Sequence, residues 1–136
     1  MERKIIRDVL FLRQKAQQAT RADLSVGRDL TDTLRANADR CVGMAANMIG
    51  VNKRVIVVSV GIGSMVLYNP VITKKSGPYT AEEGCLSLSG TRSTTRYRII
   101  EVEYRDGDWK RQSRTFTGHV AQIIQHEIDH TNGILI

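Results

Sequence analysis

Gln125-His126-Glu127-Ile128-Asp129-His130 sets two histidines four positions apart, with a glutamate directly after the first. On an α-helix, positions i and i+4 lie on one face, one turn above the other. The spacing therefore predicts a helix whose two imidazoles can hold one metal ion between them. Glu127 would then be within reach of a water on that ion. Val120, Ile123, Ile124 and Ile128 recur at helical intervals through the same stretch, so this helix should also face the core. Thr117 stands where a cap is needed and Gly133 where a helix ends.

A third metal ligand is available upstream. Glu82-Glu83-Gly84-Cys85-Leu86-Ser87-Leu88 offers a thiolate in a turn bounded by glycine. One sulfur and two nitrogens leave a fourth tetrahedral position open. That is the pattern of a catalytic site, whereas structural zinc is closed by four protein ligands. Glu127 can take a proton from water and deliver it to a leaving amine. Asp129 points to another helix face, so a supporting contact is expected of it, not ligation.

Outward from these segments the chain predicts helices at both ends with strands between. Ile5, Ile6, Val9, Leu10, Phe11 and Ala16 recur at helical spacing across residues 4–19. A second helix begins near residues 25–29, carrying Leu30, Leu34, Ala38 and Cys41 on one stripe. Residues 42–50 are small and lie at a boundary between helix and sheet. Residues 54–60 are dominated by β-branched valine and isoleucine and read as a buried strand. Gly61 and Gly63 bracket a turn before a strand over residues 65–68. Residues 99–104 and 109–116 flank Asp106-Gly107, a hairpin signal. The expectation is one α+β domain spanning all 136 residues, with antiparallel or mixed strands.

Composition narrows the setting. Charges interrupt the first residues, so no signal peptide is expected, and no apolar stretch approaches a membrane span. A cytoplasmic protein with two reduced cysteines follows from that reading. Cys41 is expected in the core and His119 in solvent. The net charge of +6 suits an anionic neighbourhood, with the ribosome as a candidate transient partner. Aromatic residues at 5% leave little to stack on bases, so direct sequence-specific nucleic-acid binding is not expected.

Three segments together resemble the peptide deformylases, metallohydrolases that remove the formyl group from the N-terminal methionine of new bacterial proteins. The family's Glu-Gly-Cys-x-Ser stands as residues 83–87 and its Gln-His-Glu-x-Asp-His as residues 125–130. Its Gly-x-Gly-x-Ala-Ala-x-Gln survives in part as Cys41-Val42-Gly43-Met44-Ala45-Ala46-Asn47-Met48. The resemblance implies ferrous iron as the active ion, although zinc or nickel suits the same ligands. It implies the backbone N–H of Leu86 as a donor to the reacting oxygen, and Ile123 against the methionine side chain. Arg96 falls where the family places an arginine near the substrate. The formyl-methionyl chain is expected to lie extended beside Val42 and Gly43, with Gly84 also lining its path.

The departures bear on rate. Met48 replaces a glutamine that, in the family, donates to the formyl oxygen, and Cys41 replaces a glycine. Six residues follow His130, where many bacterial members carry a further helix. Three readings follow: a deformylase, a deformylase-like protein of weak or altered activity, or a non-catalytic binding protein at the ribosome. A zinc endopeptidase fits less well, because an upstream cysteine ligand is not the pattern of those enzymes.

Overall fold

The computed structural model describes residues 1–85 and 88–135. Its centre is a five-stranded antiparallel sheet in sequential order: β1 (Gly43–Ala45), β2 (Val55–Ser59), β3 (Ser64–Cys85), β4 (Leu88–Arg105) and β5 (Arg111–Thr117). Side chains alternate across a strand. Ile56 and Val58 therefore enter one core and Val55 and Val57 another, all four fully buried. A strand covered on both faces carries an unbroken apolar run, as Val55, Ile56, Val57 and Val58 do.

The two cores are closed by two helices. Helix α2 (Leu24–Ala36) packs Leu30 and Leu34 on the side of Val55, Val57 and Tyr68. The terminal helix α3 (Gly118–Thr131) packs Ala121, Ile123, Ile124 and Ile128 on the side of Ile56, Leu67, Ile100 and Val102. Helix α3 stops in a Schellman turn: the N–H of Gly133 donates to His130 O and that of Ile134 to Asp129 O. Gly133 adopts φ +75°, and a Cβ there would lie 2.2 Å from Arg13 O. Both facts require glycine.

The fold departs from several expectations, and Ala38 and Cys41, expected on the stripe of the second helix, lie beyond the end of α2 at Ala36. The helix expected over residues 4–19 shrinks to α1 (Val9–Leu12), capped by the Asp8 carboxylate on the N–H of Leu10. Neighbouring backbone groups bond to distant segments instead: Ile6 N–H to Met48 O, Ala16 N–H to Thr131 O, and Gln17 N–H to Asn52 O. Tertiary partners override the local periodicity. A further difference is the long two-stranded ribbon formed by the outer parts of β3 and β4, which was not expected. Residues 73–78 are exposed, so no alternation of apolar and polar residues marks them as strand. The register shifts by one residue between Tyr68 and Val71 and again between Ile72 and Lys74, bulges of the kind that increase local twist.

Candidate active site

Strand alternation places Ala81, Glu83 and Cys85 on one face of β3, with Ala81 and Glu83 buried and Cys85 half-buried. Cys85 therefore ends a strand and does not sit in the expected turn. That face meets the helix face carrying Gln122, His126 and His130. Ligand atoms of Cys85, His126 and His130 all lie within 4.8 Å of one another. The two Nε2 atoms face each other at 2.9 Å, with rings edge to face. Nitrogens this close need a shared proton or a cation between them. Burial opposes charge on both rings, but the Cys85 sulfur and the Glu83 carboxylate outweigh it at His126 and hold its pKa well up. Burial and the neighbouring His126 push His130 down. Two buried imidazoles and a thiol converging on one point fit a divalent metal ion.

Glu127 lies one residue beyond this face and lines the same cavity. It is 4% exposed, and its Oε1 has no hydrogen-bond partner among the described residues. Burial pushes its carboxyl up to about 7, a value suited to moving protons near neutrality. Its position depends on Gly43. A Cβ at Gly43 would lie 2.6 Å from Ile123 Cγ2 and 3.1 Å from Glu127 Oε2. The glycine therefore serves close approach of α3 to β1. Gly43→Ala is expected to lose roughly 1–3 kcal/mol of stability through overpacking. It should also slow turnover by displacing Glu127, since about 1 Å of misplacement can cost a hundredfold. Denaturation and turnover of one preparation check this; parental values in both would show that Ile123 gives way freely.

The cavity is about 210 Å³, with Val42, Gly43, Met48, Gly84, Ile123 and two of the three candidate ligands, Cys85 and His126, among its lining residues. Four of the five residues expected near substrate thus share one cavity. Arg96 is the exception. It is 3% exposed, and its guanidinium donates to Glu83 and to Asp129 Oδ2, so it is neither solvated nor turned toward the cavity. Leu86 lies outside the described residues. Cys41, expected in the core, is half-buried on the cavity wall, and its thiol donates to Gly43 O at 2.9 Å. Burial pushes that thiol up to about 11. His119 is exposed, as expected, at the cavity's edge.

Two positions acquire roles that the sequence did not single out. Glu83 Oε1 accepts from His126 Nδ1 at 2.7 Å, and Oε2 accepts from Gln122 Nε2 at 2.9 Å. Burial would raise the Glu83 carboxyl, but His126, Arg96 and Gln122 hold it down at about 2. The signal was present as strand periodicity, because Glu83 stands two residues before Cys85. Asn47, 1% exposed, donates from Nδ2 to His130 O at 2.9 Å.

A family model, polypeptide deformylase, matches residues 4–136. The chain belongs to this family. It is 54% identical over 136 residues, the whole of both chains, to a peptide deformylase of Clostridium beijerinckii. The crystal structure of peptide deformylase from Thermotoga maritima superposes with a TM-score of 0.90 at 28% identity, covering 99% of this chain and 95% of that one. A class I type b peptide deformylase from Acinetobacter baumannii, solved with Met-Ala-Ser bound, gives 0.89 at 26% identity, covering 99% and 97%. The family is metal-dependent, and its known function is removal of the formyl group from nascent peptides. Its fold, helices on an antiparallel sheet with the histidine pair on the terminal helix, is the one described above. No helix among the described residues is long and apolar enough to cross a membrane.

Proposed function

We propose that Cys85, His126 and His130 hold one divalent metal ion, ferrous iron in the active form, and that Glu127 carries the proton in deformylation. The observation that supports this most is the convergence of one sulfur and two ring nitrogens beside a buried carboxylate with a free oxygen. When bound, the ion supplies Lewis acidity, lowering the pKa of water and polarising the formyl carbonyl. Glu127 takes the proton of the attacking water and passes it to the departing nitrogen. The C–N bond breaks, leaving formate and a free N-terminal amine.

The methionyl chain lies extended along β1. That strand stands at the end of the sheet, with no strand paired on its outer side, which is where an extended peptide adds in this mode of recognition. Ile123 and Gly43 wall the methionine side chain, and Val42 and Gly84 line its path. The Met-Ala-Ser held by the Acinetobacter relative suits such a path. By family resemblance the N–H of Leu86 donates to the oxygen that becomes negative. The reaction runs in the cytoplasm, with transient ribosome contact through the chain's positive charge. Co-sedimentation with ribosomes at low and high salt tests that contact, and binding insensitive to salt would refute it.

Met48 makes this a slow member of its family. A thioether has no proton to donate, and Met48 Sδ instead accepts from the N–H of Ala45 at 3.5 Å. Asn47 does not replace the missing donor, since its amide is turned to His130. Met48→Gln is expected to raise the rate by about a hundredfold to a thousandfold, the usual weight of one oxyanion donor. Turnover of a formyl-methionyl peptide, measured for both proteins loaded anaerobically with ferrous iron, tests the whole reading. No turnover by either protein refutes deformylation, and a fast parent refutes the role given to Met48.

A further inference from the structure

We infer that Arg96 is a positioning residue for the metal site: bridging Glu83 and Asp129, its guanidinium fixes the carboxylate that orients His126. The inference rests on the reading that Cys85, His126 and His130 hold the ion. Arg96 donates from Nε to Glu83 Oε2 at 2.9 Å and from Nη2 to Glu83 Oε1 at 2.6 Å. Two parallel bonds from a planar fork fix a carboxylate in orientation as well as position. The third arm, Nη1, meets Asp129 Oδ2 at 2.6 Å. Glu83 is on β3, Arg96 on β4, and Asp129 on α3 between the two histidines. One buried guanidinium therefore ties together three elements at the level of the ligands.

The consequence runs through Glu83. Both of its oxygens accept from Arg96, and each accepts from one further donor: Oε1 from His126 Nδ1, Oε2 from Gln122 Nε2. A carboxylate held on both oxygens cannot turn away. Its Oε1 keeps the His126 proton on Nδ1, which leaves the Nε2 lone pair facing His130 and Cys85. Without the guanidinium, Glu83 is a buried anion supported by neutral donors alone, and swinging toward water relieves it. The ring of His126 then loses the partner that sets its tautomer. A lysine keeps the charge but presents a single point donor in place of the fork.

The test uses the full chain loaded with cobalt(II), following release of the ion to excess chelator well below the melting temperature. Arg96→Lys is expected to release cobalt about tenfold to a hundredfold faster, the range found for outer partners of a ligand, with a shifted cobalt visible spectrum. A folded Arg96→Lys protein that keeps the parental release rate and spectrum overturns the inference. It would then be a structural ion pair, lowering the melting temperature and nothing else. If Arg96→Lys does not fold, Asp129→Ala decides in the same assay, because it removes one arm and leaves the pair with Glu83. Release about threefold faster or more supports the inference, and parental release overturns it. A parent chain that takes up no stoichiometric cobalt would instead overturn the ligand assignment itself, and with it this one.

Discussion

Cys85→Ala is expected to leave a folded protein that no longer retains metal. About 10–16 kcal/mol of apparent binding energy in a four-ligand structural zinc site comes to roughly 3 kcal/mol per ligand, more than a hundredfold in affinity. The two histidines remain on α3, but a pair of imidazoles is a weak site for a divalent ion competing with chelators in a buffer. The same argument applies to His126→Ala and His130→Ala. Cys85 is the most informative of the three because it comes from a different element, so its loss leaves the packing of α3 untouched. Metal content after gel filtration, together with far-UV circular dichroism, checks the prediction. Stoichiometric metal in the Cys85→Ala protein would exclude the sulfur as a ligand.

Glu127→Gln should behave in the opposite way, keeping its metal while losing activity by about two to four orders of magnitude, the weight of a positioned proton carrier. The substitution preserves shape, so the close contact with Gly43 is retained. It removes a carboxyl that burial holds near neutrality and replaces it with an amide that cannot accept a proton from water. Metal analysis and turnover on the same sample separate the two possible roles. Loss of the ion along with activity would place Glu127 among the ligands and discard it as the acid/base group.

What could be read from the sequence divides along physical lines. The i, i+4 histidines, the apolar stripe of α3 and the β-branched run of β2 are local patterns with one structural solution each, and the structure has them. Cys85 was legible as a thiol in a recognisable motif, but its distance to the helix was not, because that depends on how β3 lies against α3. Arg96 shows the limit most clearly. It stands between Thr95 and Tyr97 in a stretch that also holds Arg92 and Arg98, and charge runs are ordinarily solvated. Only the fold reveals that Glu83, thirteen residues earlier, and Asp129, far later, meet it in the interior. The early residues misled for the complementary reason. Their helical periodicity is real, yet Ile6 and Ala16 make backbone bonds to Met48 and Thr131, and no window of local sequence contains those partners.

The hydrogen bond from Asn47 to the carbonyl of His130 spans 83 positions, and the one from Ala16 to the carbonyl of Thr131 reaches farther still. Such closures fix long loops before they gain anything in return, which makes a topology slow to reach without making it less stable. Helix α3 follows every strand it packs on, so during synthesis the sheet emerges first and waits with one face uncovered. His126, Glu127 and His130 ride on this helix and come together with Cys85 only when it docks. Catalytic competence therefore marks the end of folding, and a chain arrested before α3 exposes the apolar face of Ile56, Val58, Leu67 and Val102 to whatever else can cover it.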